Sequence, residues 1–246
     1  LYVTSNVVSH ETTQDILVFA PDSGGPWPVV WAMHGIGGTG DDMAEIAARL
    51  AREGFVVFAP TFGTDMSTEQ GALQAVRDAE CGYRFARSIA ADHGGDLDRP
   101  VTFVGWSLGA SFVLQGGLTE QIDPSGQFLS CFAEVPRADV IVAASGCYYE
   151  FEGAQFDFDP SGFGNKDAAV VLLAGDQDTV CAAWQSEDAL AALQSVGYDV
   201  ELVMLEGADH FAPIFQDLVD DELVATPGLA AGEQAVEVIL ASIAER

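Results

Sequence analysis

The five residues 105–109, Gly-Trp-Ser-Leu-Gly, restrict the fold of this chain more than any other segment. They follow an apolar run at 101–105 that predicts a buried strand, and they precede a helical stretch at 108–116. A serine between two such elements lies on a tight strand-to-helix turn, where residues two positions away must lack side chains. The new helix also directs its amino-terminal dipole at the serine. We therefore predict that Ser107 is a nucleophile on this turn, rather than part of an ordinary glycine-rich loop.

Short apolar runs alternate with helical segments along the rest of the chain. The predicted strands are 3–8, 16–20, 29–33, 55–59, 101–105, 140–144, 169–174 and 200–205. The predicted helices are 39–52, 71–91, 108–116, 187–196 and 233–244. This alternation predicts a single α/β domain over residues 1–246, with about eight strands in a mostly parallel sheet and helices on both faces. The irregular stretches 119–139 and 145–167 are too short for a large cap domain, so we expect an open site.

A serine hydroxyl is a weak nucleophile and needs a base, and the chain has four histidines. His10 lies near the predicted amino-terminal hairpin, His34 ends the third strand, and His93 falls in a loop. His210 follows the last predicted strand. Because catalytic residues of open α/β sheets gather at the carboxyl ends of the strands, we predict that His210 is the general base. The imidazole must be neutral in this role, so we expect activity to fall at acidic pH.

The acid that orients the histidine should follow the preceding strand, where Asp176 and Asp178 stand. We predict Asp178, which lies four residues past the strand end and can reach across to the imidazole. Asp176 suits a side-chain to backbone hydrogen bond within the turn. Asp209 is adjacent to His210 in sequence, where the two side chains rarely meet in the required geometry.

Acyl transfer also needs two backbone N–H groups that stabilise the oxyanion. We predict the N–H of Leu108, directly after the nucleophile, and the N–H of Ile36, with Gly37 as the alternative. Ile36 lies in the glycine-rich turn 34–38, which is also what a tight turn before a helix requires.

Taken together, these segments resemble the α/β-hydrolase superfamily over nearly the whole chain, and the order Ser107, Asp178, His210 is the order found in that fold. Residues 172–180 and 206–213 resemble bacterial cutinase-like polyester hydrolases and the neighbouring dienelactone-hydrolase-like esterases. Ile36 stands where the cutinase-like group usually carries an aromatic residue.

The resemblance implies a serine carboxylic-ester hydrolase that forms an acyl-enzyme intermediate, with bulky or polymeric esters among its substrates and no metal or organic cofactor. The same triad serves thioesterases, acyltransferases and peptidases, so those activities remain alternatives. A non-catalytic binding protein on this fold is a more remote one.

Several aromatic residues are expected on the same face as the triad, where they would line an apolar acyl pocket. Ordinary packing of loops is the alternative, and a core role is equally open for the tryptophan beside the nucleophile. The predicted substrate contacts are Gly37, Trp106, Tyr148, Trp184 and Phe211, with Tyr149 and Phe151 in the same group.

Four cysteines allow three disulfide connectivities, or four free thiols. Cys147 and Cys181 each follow the end of consecutive strands, and strand spacing matches the Cα separation of a disulfide, so we predict this pair. Cys81 and Cys131 would form the second. An even number of cysteines favours a secreted protein, with a cytoplasmic one as the alternative.

The chain carries 38 acidic and 9 basic residues, a net charge of −29. This charge repels phosphate groups, so we expect neither nucleic acid nor anionic membranes as partners. The excess predicts adaptation to salt, with a plain solvated acidic surface as the alternative. No apolar run reaches the roughly 18 residues of a membrane span. We expect a monomer.

Overall fold

The computed structural model describes residues 2–9, 12–63, 65–119, 138–151, 154–155, 157–219 and 222–245. Its strands are β1 (Tyr2–Ser9), β2 (Thr12–Phe19), β3 (Val29–Met33), β4 (Val56–Pro60), β5 (Val101–Trp106), β6 (Val140–Ala144), β7 (Glu150–Phe151), β8 (Ala154–Gln155), β9 (Ala169–Gly175), β10 (Val200–Leu205), β11 (Gln216–Val219) and β12 (Glu222–Ala225). Its α-helices are α1 (Ala44–Arg52), α2 (Glu69–Ile89), α3 (Leu108–Leu118), α4 (Trp184–Ser195) and α5 (Ala230–Ala244).

Within the described residues, eight strands form one sheet in the order β1-β2-β4-β3-β5-β6-β9-β10. Strand β2 runs antiparallel to both of its neighbours, whereas the six strands from β4 to β10 are parallel. The prediction of a mostly parallel sheet of about eight strands is therefore confirmed. Because the six strands point the same way, the loops that leave β3, β5, β9 and β10 all start at one edge of the sheet.

Helices cover both faces of the sheet, as predicted, and alternate residues of each strand divide the apolar core in two. In β3, Trp31 packs with α2 and α3 on one face, while Val30 packs with α1 and α5 on the other. Strands β3, β4, β5 and β6 are buried along their whole length. This burial explains their continuous apolar runs, since strands covered on both faces do not alternate with polar residues.

Local hydrogen bonds set boundaries that periodicity did not predict. The predicted helix 39–52 divides into a 3₁₀ helix (Gly40–Met43) and α1, because Thr39 accepts a hydrogen bond from the N–H of Asp41 while Asp42 accepts one from the N–H of Thr39. Helix α2 begins two residues earlier than predicted, where the Thr68 hydroxyl accepts from the N–H of Gly71. These side chains satisfy amide groups that have no partner within the helix.

Two short hairpins were not predicted: β7–β8 lies in the stretch 145–167 that was predicted to be irregular, and β11–β12 lies between the last predicted strand and the last predicted helix. Strand β7 pairs with β8, and β11 pairs with β12, so neither hairpin joins the main sheet. Among the helices of the described segments, none is long and apolar enough to cross a membrane.

Candidate active site

Ser107 occupies the turn between β5 and α3 with a strained backbone. Its φ of 57° and ψ of −120° are unusual for a residue with a side chain, a conformation that costs about 1–3 kcal/mol. Its N–H donates to the carbonyl of Ala144 at the end of β6, at 2.9 Å. A Cβ at Gly105 would collide with the carbonyl of Gly109, and one at Gly109 with the carbonyl of Met33. The glycines therefore allow the close approach that the strained turn requires.

The three side chains predicted as a triad meet at the carboxyl edge of the sheet. The Ser107 hydroxyl lies 3.0 Å from Nε2 of His210, and Nδ1 of His210 lies 2.9 Å from Oδ2 of Asp178. All three residues are at most 6% exposed. In the tautomer that catalysis requires, Nδ1–H donates to Asp178 and Nε2 accepts from Ser107. The arrangement can transfer a proton from the hydroxyl to the imidazole.

Asp178 is held by its own turn after β9. Its Oδ1 accepts hydrogen bonds from the N–H groups of Val180 and Cys181, both at 2.8 Å. These bonds leave Oδ2 directed at His210. The side chain of Asp176 instead accepts from the N–H of Gly207 at 2.7 Å, and so joins the acid turn to the histidine loop.

The histidine loop after β10 is fixed by Asp209 and Trp106. The carboxylate of Asp209 accepts from the N–H groups of Phe211 and Ala212, each at 3.0 Å, so it holds the turn and takes no part in the triad. The indole N–H of Trp106 donates to the carbonyl of His210 at 2.7 Å. Because Trp106 is 4% exposed, it positions the base from within the core.

The glycine turn after β3 passes directly over the nucleophile. The N–H of Gly38 donates to the carbonyl of Gly35 at 3.3 Å, and Gly37 adopts a φ of 71° that favours glycine. A Cβ at Gly35 would lie 2.9 Å from the Cβ of Ser107, which leaves no room for a larger residue. The turn is therefore close enough to Ser107 to supply an oxyanion donor, and the N–H groups of Ile36 and Leu108 stay our prediction for that role.

His34, noted in the sequence only as the end of a strand, supports this turn. Its Nδ1–H donates to the carbonyl of Gly35 at 2.7 Å, and its Nε2 accepts from the N–H of Phe62 at 3.2 Å. The ring also stacks on Phe62 with centroids 4.0 Å apart. Burial is the main influence on His34 and lowers its pKa, which keeps the ring neutral. Its partner Phe62 is 28 residues away, so only the folded chain shows this role.

A cavity of about 300 Å³ opens beside the nucleophile. Ser107, Leu108 and Ile36 lie on its wall, so the predicted oxyanion donors and the hydroxyl face one space. Most of the remaining wall is apolar or aromatic and comes from Met66, Phe112, Tyr148, Phe151, Phe158 and Phe163. A smaller cavity of about 40 Å³, between α2, α3 and the sheet, contains no triad residue.

Among the predicted substrate contacts, Tyr148 lies on the wall of this cavity. Trp184 does not, because it begins α4, is 40% exposed and stacks on Tyr149 with centroids 6.0 Å apart. Phe211 lies outside the wall as well, since its ring packs against Trp106 at 5.6 Å. The prediction that Trp184 and Phe211 line the cavity is corrected accordingly.

Gly37 and Trp106 also lie outside the cavity wall. A Cβ at Gly37 would meet nothing within 4 Å, so this residue shapes the turn rather than closing a pocket. The buried hydrogen bond of Trp106 gives that residue the core role considered as its alternative. The residues that sequence reasoning missed, Met66, Phe112, Phe158 and Phe163, come from three separate segments.

Cys147 and Cys181 form the predicted disulfide, with Cα atoms 4.9 Å apart. The bond joins the loop after β6 to the acid turn, directly beside the backbone N–H of residue 181 that holds Asp178. Cys131 lies outside the described residues, and so does the predicted pairing of Cys81 with Cys131. His10 lies outside the described residues as well. Among the described residues, no three His, Cys, Asp or Glu side chains are grouped so as to bind a metal ion.

Residues 15–116 match the sequence model of the dienelactone hydrolase family. The matched segment includes the glycine turn and the nucleophile turn. None of the curated proteins matches the chain in sequence. A proposed dienelactone hydrolase of Klebsiella pneumoniae is similar in structure, with a TM-score of 0.70, 18% identity, and coverage of 100% of this chain and 99% of that one.

Thermogutta terrifontis esterase 2 is also similar. Its propionate-bound structure gives a TM-score of 0.74 at 15% identity and covers 99% of this chain and 94% of the esterase. The same esterase phosphorylated by paraoxon gives 0.73 at 14% identity with the same coverage. These likenesses show the α/β-hydrolase fold.

Proposed function

We propose that this chain, a serine-based carboxylic ester hydrolase of the α/β-hydrolase superfamily, cleaves its esters through an acyl-enzyme formed on Ser107. One observation carries the proposal: the hydroxyl of Ser107, on a strained turn, lies 3.0 Å from one ring nitrogen of His210, and the other ring nitrogen lies 2.9 Å from the carboxylate of Asp178. The dienelactone hydrolase match over residues 15–116 agrees with this chemistry.

In the first half of the reaction, Ser107 Oγ attacks the ester carbonyl while Nε2 of His210 takes the hydroxyl proton. The carbonyl oxygen becomes an oxyanion that accepts from the N–H groups of Leu108 and Ile36. His210 then gives its proton to the leaving alcohol as the bond between the acyl carbon and the alcohol oxygen breaks. The acyl group stays on Ser107.

In the second half, His210 takes a proton from water, and the hydroxide oxygen attacks the acyl carbon. The tetrahedral intermediate collapses, the carboxylic acid leaves, and the proton on Nε2 returns to the Ser107 oxygen. Asp178 stabilises the imidazolium in both halves through its bond to Nδ1 and keeps the ring in one orientation.

Esters that fill an apolar space of about 300 Å³ are the substrates we propose, because the cavity wall is largely aromatic. Polymeric esters are a further candidate. Ile36, which is 37% exposed at the cavity, would be the side chain that such a polymer contacts. Short acyl chains and organophosphates are informative probes, because the similar esterase 2 of Thermogutta terrifontis is known bound to propionate and phosphorylated by paraoxon.

The test is a panel of p-nitrophenyl esters from acetate to palmitate, with thioesters, an anilide and a polyester film beside it. We expect hydrolysis of the shorter oxygen esters and stoichiometric labelling of Ser107 by a fluorophosphonate. A Ser107→Ala variant should lose both. Intact protein that neither hydrolyses any ester nor takes the label would instead support the binding-protein alternative, and faster thioester than ester turnover would support a thioesterase.

We also propose that the chain works outside the reducing cytoplasm. The Cys147–Cys181 disulfide supports this, since such bonds persist in oxidising compartments and are rare elsewhere. Fractionation of the native cells with an antibody to the chain would test it: enzyme found only among cytoplasmic proteins would count against export.

A further inference from the structure

A cluster of packed aromatic rings forms part of the wall of the cavity beside Ser107. Phe158 lies at their centre, with ring centroids 5.4 Å from Tyr148, 6.0 Å from Tyr149 and 6.2 Å from Phe163. Phe158, Tyr148 and Phe163 all line the cavity. The face of an aromatic ring is electrostatically negative and attracts a cation that lies within about 6 Å of the ring centre.

The charged groups on the same wall have one sign. Asp157 and Asp159, on either side of Phe158 in sequence, both line the cavity, and the described part of its wall contains no lysine or arginine. The Asp159 carboxylate accepts a hydrogen bond from the N–H of Ser161 at 2.9 Å, which holds the pKa of that carboxyl below its usual value. The negative charge is therefore present at neutral pH.

Tyr148 adds an uncharged aromatic side chain to this wall. Tyr148 lines the cavity and is 2% exposed, and its hydroxyl has no hydrogen-bond partner among the residues that the structure describes. Burial raises its pKa, so the phenol stays neutral. Tyr148 therefore adds no charge of its own to the wall, and its contribution to a bound cation is that of an aromatic ring.

We propose that this cavity selects esters that carry an ammonium group, and that it discriminates against esters carrying an acid. The inference rests on the proposed function, since it names the substrate class of the same site. Aromatic faces and carboxylates both favour a cation over its neutral isostere, and the same carboxylates repel an anion. The ranking is cationic, then neutral, then anionic for groups of one size.

The experiment compares isosteric esters at 0.1 M salt. Choline butyrate is paired with 3,3-dimethylbutyl butyrate, in which carbon replaces nitrogen, and 2-sulfoethyl butyrate supplies the anion. A second pair, the ethyl esters of 4-(trimethylammonio)butyrate and 5,5-dimethylhexanoate, places the cation on the acyl side. Each kcat/KM is divided by the rate constant for alkaline hydrolysis of the same ester, which removes differences in intrinsic reactivity.

We expect the cationic member of at least one pair to be preferred by about fivefold or more. The sulfonate ester should be disfavoured relative to its neutral partner. Phe158→Leu, which keeps an apolar side chain but removes the aromatic face, should lower the cation preference, and so should Asp157→Asn and Asp159→Asn, each made alone. Asp98→Asn is the matched control, because Asp98 is exposed before β5 at the opposite edge of the sheet. It removes the same charge and should leave the preference unchanged.

Tetramethylammonium adds a readout that needs no turnover. It should slow labelling of Ser107 by a neutral fluorophosphonate more in the wild-type protein than in Phe158→Leu. Efficient hydrolysis of the neutral esters with no preference for either cation overturns the inference and leaves the proposed function intact. Failure to hydrolyse any ester, together with no labelling of Ser107, overturns both. An equal loss of preference in Asp98→Asn would show that the overall charge of the protein, rather than this cavity, attracts the cation.

Discussion

The indole nitrogen of Trp106 donates a 2.7 Å hydrogen bond to the main-chain carbonyl of His210. The residue before the nucleophile thus fixes the backbone of the base, across 104 residues of sequence. The two rings also lie close together, with centroids 5.3 Å apart. The distance between hydroxyl and imidazole therefore depends on this contact as well as on the triad itself.

Replacing Trp106 with phenylalanine should lower kcat by about tenfold while KM changes little, because a lost buried hydrogen bond is worth about 1–3 kcal/mol. The aromatic packing stays, so the fold should hold. Steady-state kinetics and the rate of fluorophosphonate labelling measure the effect. Trp184→Phe is the matched control, since Trp184 is 40% exposed and lies outside the cavity wall. An equal effect of both changes would contradict the positioning role.

Replacing Asp178 with asparagine should lower kcat by about 10⁴-fold, because an amide in this position favours the wrong tautomer of the histidine. The variant keeps the shape of the side chain and can still accept from the N–H groups of Val180 and Cys181. Circular dichroism should therefore show a native fold. Asp176→Asn, which alters the bond to the N–H of Gly207, serves as the comparison and should cost far less. A larger loss in Asp176→Asn would reassign the acid.

The buried His34 should make the protein less stable as the pH falls below about 6.5, the ordinary value of a histidine pKa. Burial lowers the pKa of His34 in the folded state, so the unfolded chain binds a proton more readily. The stability that neutral His34 supports is complete above the unfolded pKa and declines as the pH drops below it. The free energy of unfolding, measured between pH 5 and pH 8, should fall more steeply in the wild type than in His34→Gln. Parallel curves would show that His34 does not contribute.

Removing the disulfide with Cys147→Ala and Cys181→Ala together should lower the free energy of unfolding by about 2–4 kcal/mol, since the closed loop spans 34 residues. Denaturant titration under non-reducing conditions measures the change. Activity should fall as well, because the N–H of residue 181 holds the Asp178 carboxylate. A non-reduced peptide map that shows both thiols free in the wild type would contradict the bond.

Salt should stabilise this protein, because its 38 acidic residues outnumber its 9 basic residues and the acidic side chains repel one another. At 1 M ionic strength this repulsion is screened beyond about 3 Å. The midpoint of thermal unfolding should rise by several degrees between 0.05 M and 2 M sodium chloride. Sucrose at equal osmolality separates screening from a general solute effect. A flat or falling midpoint would favour the plain solvated surface.

The parts of this site that the sequence could predict are those set by local rules. The nucleophile turn needs glycine on both sides of Ser107, and an acid and a base that follow parallel strands must emerge at one edge of the sheet. The disulfide followed from the same argument, since Cys147 and Cys181 leave neighbouring strands. The antiparallel pairing of β2 with β4 and the two extra hairpins carried weaker signals.

The cavity wall could not be predicted in the same way. Phe158 and Phe163 lie in an irregular segment whose path depends on packing against α3 and the loop after β6, and no periodicity reports such a path. Trp184 and Phe211 follow the correct strands, yet the turns that carry them direct one ring to solvent and the other against Trp106. The direction of a side chain past a strand end depends on turn geometry that composition does not encode.

The bridge between Cys147 and Cys181 has a practical consequence for anyone who prepares this enzyme. Because thiol–disulfide exchange follows the redox poise of the surroundings, protein made in a reducing cytoplasm would start without the bond. Batches purified from different hosts would then differ in specific activity although their amino-acid sequence is the same. The content of free thiols should therefore be measured together with the protein concentration whenever the rates of different batches are compared.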